Sequence, residues 1–250
     1  MGAVILEAKN LKKEFIMGKG INNLVIPGFD LEIQKGEFVV LMGNSGSGKS
    51  TLLYLLGGLD EASGGEIKVN GSLLPASHKE NALFRRSTIG FVFQQNNLVP
   101  SLTLLENILV SAYLVSKNRK KAKEKALELM KEMGIGDLTN RYPSQVSGGE
   151  QQRCSIARAL VNDPAILFAD EPTGSLNSSS TEKVLENFSL LHAKGQTIVM
   201  VTHEVEAACY GQRVIYVRDG KMVDEYYPDE LEQREQKEKA LVQWLTQKGW

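Results

Sequence analysis

Short apolar runs punctuated by turn residues fill the first third of the chain. Val4 to Ala8, Leu24 to Ile33 around Pro27-Gly28, Phe38 to Met42, and Glu66 to Val69 before Asn70-Gly71 read as strands. From Thr103 the pattern turns helical. Thr103 and Glu106 have capping-box spacing, and a charged amphipathic stretch runs from Arg119 to Met133 and stops near Gly134. A helical insertion is therefore expected over roughly Asn96 to Val161. Beyond it, two unbroken apolar runs, Ala165 to Ala169 and Thr197 to Thr202, flank a helix-like segment from Ser179 to His192. Strand, helix and strand in that order predict a parallel sheet covered on both faces.

The end of the chain reads differently. Asp229 to Lys248 is dense in Glu, Gln and Lys, and its apolar set is sparse: Leu231, Leu241, Trp244 and Leu245. This spacing predicts a helical tail over 229–250 that lies on the surface of a main domain over 1–228, with service to a partner as the alternative.

Composition narrows the class. With 250 residues, 42% of them hydrophobic and 24% charged, the chain fits one large domain carrying a smaller lobe. A formal net charge of -1 supplies no general attraction to nucleic acid or anionic lipid, so no nucleic-acid partner is expected. Cys154 and Cys209 lie far apart without metal-type spacing, which argues against a disulfide framework or a zinc site and fits a reducing cytosol. No apolar run approaches the roughly 18 residues of a spanning helix, so any membrane role would be peripheral.

The chemistry begins at Gly43-Asn44-Ser45-Gly46-Ser47-Gly48-Lys49-Ser50, which fits G-x-x-x-x-G-K-[ST] between an apolar strand and the helical Thr51 to Leu56. Glycines let the backbone wrap so that its N–H groups and the following helix start face phosphate oxygens. Lys49 then reaches the β and γ phosphates, and the Ser50 hydroxyl is placed to ligate Mg²⁺. The loop alone does not separate kinases, GTPases and ATPases. Asp170 and Glu171 follow the apolar run Ala165 to Ala169, at the strand edge where parallel sheets bind ligands. Two adjacent carboxylates beside a triphosphate need a cation. Asp170 is therefore read as acting on Mg²⁺, leaving Glu171 to orient and deprotonate the attacking water. His203 ends the next apolar run, where its imidazole would face the γ-phosphate, whereas His78 and His192 sit in polar stretches and read as structural or merely exposed. Finally, Ser147, Gly148, Gly149 and Glu150 open a helix to about Leu160. Their spacing is that of a capping box, and two glycines in a first turn weaken a helix by up to about 1 kcal/mol each. That cost makes sense if bare amides must approach an anion. Two phosphate-binding helix starts and one nucleotide loop suggest that each ATP is held between two copies.

Taken together, Gly43 to Ser50, Gln94, Ser147 to Gln151, Ile166 to Glu171 and His203 resemble the ABC transporter ATPases, in that family's order and spacing, over about Leu6 to Tyr226. The resemblance implies an α/β fold of the P-loop NTPase ABC ATPase type, with an antiparallel β subdomain and a helical subdomain carrying the signature. It implies ATP and Mg²⁺ as ligands, ATP hydrolysis coupled to transport, and a second copy of the chain as partner in the ATP-bound dimer. Gln94 looks like the glutamine that touches Mg²⁺ or the attacking water and senses the permease. Phe15 falls where the family stacks an aromatic on adenine, with core packing as the alternative. Ser175-Leu176-Asn177 departs from the family's S-A-L-D loop, since Asn177 replaces an aspartate and loses its charge. Gly57 to Asp60, Ile89 to Gln94 and Asp170 to Ser175 look most like ATPases of lipoprotein-release, macrolide-export and antimicrobial-peptide systems. That likeness implies an FtsX-like permease and a position on the cytoplasmic face of the cell membrane. Leu98, Val99 and Pro100 are candidates for the permease contact, or pack internally. A regulatory ATPase of the cell-division type, acting through a membrane partner without transport, shares the same motifs. Soluble repair or translation ATPases carry long coiled coils or a second nucleotide domain, for which this chain has no room.

Overall fold

The computed structural model describes residues 2–17, 21–75, 77–228 and 233–250. In chain order it begins with strands β1 (Val4–Met17), β2 (Ile21–Gln34) and β3 (Phe38–Met42), then helix α1 (Lys49–Leu56). Strands β4 (Gly64–Val69) and β5 (Ser72–Leu73), helix α2 (His78–Thr88) and strand β6 (Ile89–Val92) follow. Helices α3 (Leu104–Tyr113), α4 (Arg119–Glu132) and α5 (Gly148–Leu160) lead into β7 (Ile166–Asp170), α6 (Ser178–Ala193) and β8 (Thr197–Val201). The described chain closes with α7 (Val205–Ala208), β9 (Arg213–Arg218), β10 (Lys221–Tyr226) and α8 (Arg234–Gln247).

Two sheets organise these elements. The larger has order β10-β9-β3-β8-β7-β6, parallel except for the antiparallel edge pair β9-β10. The smaller is antiparallel, in order β2-β1-β4-β5. Central strands of the larger sheet are buried throughout, and their side chains alternate between two cores as the pleat requires. Phe38, Val40 and Met42 enter the core shared with α3 to α6 and α8, while Val39 and Leu41 enter the core between the sheets with Leu52, Leu53, Leu55 and Leu56 of α1. This explains the unbroken apolar runs, because both faces of each strand are dry.

Several boundaries differ from the sequence-based expectation. β1 runs on from Ala8 to Met17, with register shifts between Ala8 and Leu11 and Asn10 at φ 45°. A bulge there breaks the two-residue alternation by which a strand is recognised. Helix α2 was not expected at all. Only Asn81 is buried along it, so no apolar stripe marks it, and its start rests on the Ser77 side chain accepting from the Glu80 amide. His78 is accordingly the first residue of a helix. The tail helix begins at Arg234, and the expected contribution of Leu231 lies outside the described residues. Leu241 and Leu245 are fully buried against the main core, each stabilising by about 1.5–3 kcal/mol, and Trp244 packs against Tyr226 and Tyr216. The tail is thus a docked surface helix. Cys154 and Cys209 are free and buried, and burial pushes their thiols up to about 12 and about 11. Among the described residues, no helix is long and apolar enough to cross a membrane.

Candidate active site

The chain leaves β3 at Met42, wraps through Gly43 to Gly48 and enters α1 at Lys49. Gly48 holds the N-cap position in the left-handed conformation, φ 93°, and no side chain caps the helix. The first amides of a helix have no partners within it and carry partial positive charge, so this start is open to an anion. The β9-β10 turn braces the loop through Gly220 N–H donating to the Ser47 carbonyl at 2.9 Å. Lys49 is only 7% exposed, and its Nζ donates to the carbonyls of Gly43 and Asn44 at 2.7 and 2.9 Å. Desolvation lowers its pKa, and the charges of Glu171 and Asp170 oppose that shift.

β7 delivers two carboxylates that point to different partners. Asp170, 7% exposed, accepts from Ser50 Oγ at 2.9 Å and from the Tyr54 hydroxyl at 2.6 Å. Ser50 and Tyr54 are four apart on α1, so one helix face holds both oxygens. Burial and then the hydrogen bond to Asp170 push the Tyr54 hydroxyl well above its ordinary pKa, keeping it a donor. Sequence reasoning missed Tyr54, although its spacing from Ser50 was a usable signal. Glu171 leaves strand geometry, φ 44°, and its Oε1 lies 3.2 Å from His203 Nδ1. A non-glycine residue there costs about 1–3 kcal/mol, and such strain concentrates where a side chain must be aimed. A hydrogen bond from Thr173 Oγ1 to the Glu204 carboxylate ties the two strand-end loops together.

Gly43 to Gly46, Gly48 to Thr51, Glu171 and His203 line one cavity of about 770 Å³, completed by Val25 and Trp250. Ser47 is buried in the wall of the loop, and Asp170 stands one contact behind it, through Ser50. Ser50 Oγ and Asp170 Oδ1 form the hard oxygen pair that Mg²⁺ favours, since that ion takes few protein ligands and relies on substrate phosphates. The remaining candidates stand outside this lining. Phe15 is exposed on β1 with Lys13 Nζ 4.7 Å from its ring centroid, so it is not a core residue. Gln94 is exposed in the loop after β6, its carbonyl 3.4 Å from Ser175 Oγ.

Four contacts clamp that loop to α5. Gln152 Nε2 donates to the Phe93 carbonyl at 3.1 Å, and the Arg158 guanidinium donates to the carbonyls of Asn96 and Asn97 at 2.7 and 2.6 Å. Asn96 Nδ2 donates to Gln151 Oε1 at 3.3 Å. Gln152 and Arg158 were not singled out from sequence, because nothing local says what a helix residue meets some 60 positions away.

At the start of α5, Glu150 N–H donates to Ser147 Oγ at 3.3 Å and Ser147 N–H to Glu150 Oε2 at 2.7 Å. The Ser147 N–H bond, with a second from Ser147 Oγ to the same oxygen at 2.8 Å, holds the Glu150 carboxyl below the usual carboxylate range. The two glycines divide their roles. A Cβ on Gly149 would lie 2.7 Å from Ser180, so that glycine lets α5 pack on α6, whereas Gly148 is exposed and nearly uncrowded. Packing on α6 thus gives Gly149 a reason of its own to lack a side chain, beside the expectation that both glycines serve an anion.

A family model described as ABC transporter matches residues 26–174. The chain belongs to that family. It is 47% identical over 224 residues to the "Lipoprotein-releasing system ATP-binding protein LolD" of Aquifex aeolicus, covering 89% of this chain and 98% of the relative. It is 45% identical over 221 residues to the "Bacitracin export ATP-binding protein BceA" of Halalkalibacterium halodurans, 87% of either chain. The "Macrolide export ATP-binding/permease protein MacB" of Aggregatibacter actinomycetemcomitans shares 42% identity over 88% of this chain, which spans 34% of that longer protein. A solved dimeric bacterial ABC transporter cassette superposes with a TM-score of 0.82 at 39% identity, covering 89% of this chain and 98% of that one. The same cassette bound to ADP and Pi after hydrolysis gives 0.80 at 38%. This ABC protein is an ATPase of the P-loop type, and its expected fold class holds.

In this ABC ATPase Asn177 is the N-cap of α6, its side-chain oxygen accepting from the Ser180 amide at 3.0 Å and from Ser179 Oγ at 3.2 Å. An aspartate would make the same bonds, so the departure from the family loop is one of charge.

Proposed function

We propose that ATP and Mg²⁺ close two copies of this ATPase head to tail, and that hydrolysis reopens them to drive a separate membrane permease. The observation that carries this reading is the placement of the two helix starts. The phosphate cavity has none of Ser147 to Glu150 in its lining, while Ser147 and Gly148 lie exposed elsewhere on the same chain. A second copy turned by two-fold symmetry can offer each cavity the missing helix start. The dimeric assembly of the related cassette supports it.

Within each site the loop amides and Lys49 bind the phosphates, and Ser50, Asp170 and Gln94 are the ligands or water-mediated neighbours assigned to Mg²⁺. Bound there, that ion would supply charge neutralisation to the phosphates. Glu171 takes the proton of the attacking water, held in position by His203, and Phe15 stacks on adenine. The ATPase domain spans 1–228, with the helical signature lobe over about 96–161 and the tail over 229–250.

The partner is read as an FtsX-like permease, and the process as export or extraction of peptide, lipoprotein or drug at the cytoplasmic face of the membrane. The relatives named for lipoprotein release, bacitracin export and macrolide export support the export reading. The surface offered is a cleft of about 300 Å³ between α2, β6 and α3, where Val99, Val110 and Leu114 are 43%, 50% and 56% exposed. Of the candidates named from sequence, Leu98 packs against the core and Val99 and Pro100 stay outside. Val99→Asp with Val110→Asp should uncouple a permease while basal ATPase survives. Copurification of the tagged protein from detergent-solubilised native membranes tests the partner: a polytopic permease at stoichiometric yield is expected, and recovery of soluble or division proteins alone would overturn the transport reading.

A further inference from the structure

The end of α8 returns the chain to the nucleotide cavity. Gly249, at φ 83°, donates its N–H to the Thr246 carbonyl at 3.1 Å, and Trp250 N–H donates to the Leu245 carbonyl at 3.1 Å. Those two bonds form the paired closure of a Schellman cap, which reverses the chain direction at a left-handed glycine. Arg218 Nη1 donates to the Lys248 carbonyl at 3.0 Å, and Lys248 Nζ pairs with Asp224, so the cap is fastened to β9 and β10. β9 and β10 are the strands whose turn also braces the phosphate loop through Ser47. Trp250 is therefore a placed residue rather than a frayed end.

Trp250 lines the cavity formed by the phosphate loop, Glu171 and His203, and keeps 41% exposure. Trp250 and Val25 are the two hydrophobic residues of that lining among the described residues; the others are glycines, serines, a threonine, Asn44, Lys49, Glu171 and His203. A nucleotide is anionic at one end and a flat π-system at the other. The loop suits the first, and an indole suits the second, because a ring face stacks on any base without needing matched hydrogen bonds. The cavity retains about 770 Å³ beside the indole, within the roughly 300–1,000 Å³ of small-molecule sites, so Trp250 forms a wall and not a plug.

We propose that Trp250 is a nucleotide-contacting residue: the capped end of α8 supplies an aromatic wall against the base or ribose of bound ATP, in addition to Phe15. This rests on the nucleotide reading of the phosphate loop, and the test separates the two. Trp244 and Trp250 are the two tryptophans of the chain. In Trp244→Phe protein, emission therefore reports Trp250 alone. Titration with MgADP should change that emission and saturate at the Kd measured by calorimetry. Trp250→Ala should weaken MgADP binding about three- to tenfold, Trp250→Phe should restore most of it, and pyrophosphate, which has no base, should bind all three proteins equally. Flat emission with normal calorimetric binding would overturn the proposal and spare the nucleotide reading. So would tighter MgADP binding in Trp250→Ala, the mark of a plug, or a parallel loss of pyrophosphate, the mark of a distorted loop. Absence of any MgADP heat in the unaltered protein would instead remove the nucleotide reading itself. Should Trp244→Phe fail to fold, the affinities of the two Trp250 variants decide alone.

Discussion

The starts of α1 and α5 answer the same physical problem in opposite ways. Both leave amides without partners inside the helix. α1 begins at a left-handed Gly48 with no side-chain cap, so its amides remain for phosphate. α5 begins with a reciprocal cap between Ser147 and Glu150, the arrangement that Thr103 and Glu106 make at α3. Glu150 also brings negative charge to that start. On the proposed dimer, phosphates brought by a second copy would approach from the exposed Gly148 side. The comparison teaches that a helix start is not a binding site by geometry alone: what its first side chains already satisfy decides what remains for a ligand.

The largest expected effect comes from the carboxylate that shares the phosphate cavity with the α1 start. Glu171→Gln should lower steady-state ATP turnover by about 10²–10⁴-fold while nucleotide binding persists, and size-exclusion chromatography with ATP should show a trapped dimer. Undiminished turnover would remove Glu171 from the mechanism. Next, the two starts should separate by the property lost. Lys49→Ala should weaken MgADP binding by roughly 10–100-fold, as expected for losing hydrogen bonds from a charged donor. Gly148→Asp, placed in the Glu171→Gln background, should abolish the ATP-dependent dimer and leave the monomer's affinity for MgADP within about twofold. Equal losses of nucleotide affinity in both would mean that the two helix starts act alike.

Smaller effects sharpen the comparison between the two caps. Ser147→Ala and Thr103→Ala should each cost about 1 kcal/mol in denaturant unfolding, yet only Ser147→Ala should reduce turnover. Asn177→Asp keeps its bonds to Ser179 and Ser180 and adds a negative charge at the start of α6, which should stabilise by about 0.3–1 kcal/mol and raise Tm by about 1–3 °C. A fall in Tm would mean that the charge, rather than the hydrogen bond, is what this loop rejects.

Legibility in the sequence followed the range of the interaction concerned. The phosphate loop, the caps at Thr103 and Ser147, and the strand-end pair Asp170-Glu171 were readable because each is written within a few residues, by glycine placement, hydroxyl-to-carboxylate spacing or an apolar run. Helix α2 escaped because it buries little, and β1 was cut short because a bulge at Asn10 broke its alternation. The division of Leu98 from Val99 was likewise open until burial separated them.

What the sequence determined by itself was therefore the set of chemical groups and their local backbone: a loop whose glycines wrap a phosphate, a lysine and serine at the helix start, and two carboxylates where an apolar strand ends. What only the tertiary structure decided was who meets whom. Tyr54 finds Asp170 across 116 positions, Arg158 holds Asn96 across 62, and Trp250 arrives beside the phosphate loop through the docking of α8. Such contacts depend on where separate elements are brought by burial of their apolar faces in a common core. Burial is non-directional and carries no local mark of the partner it will supply.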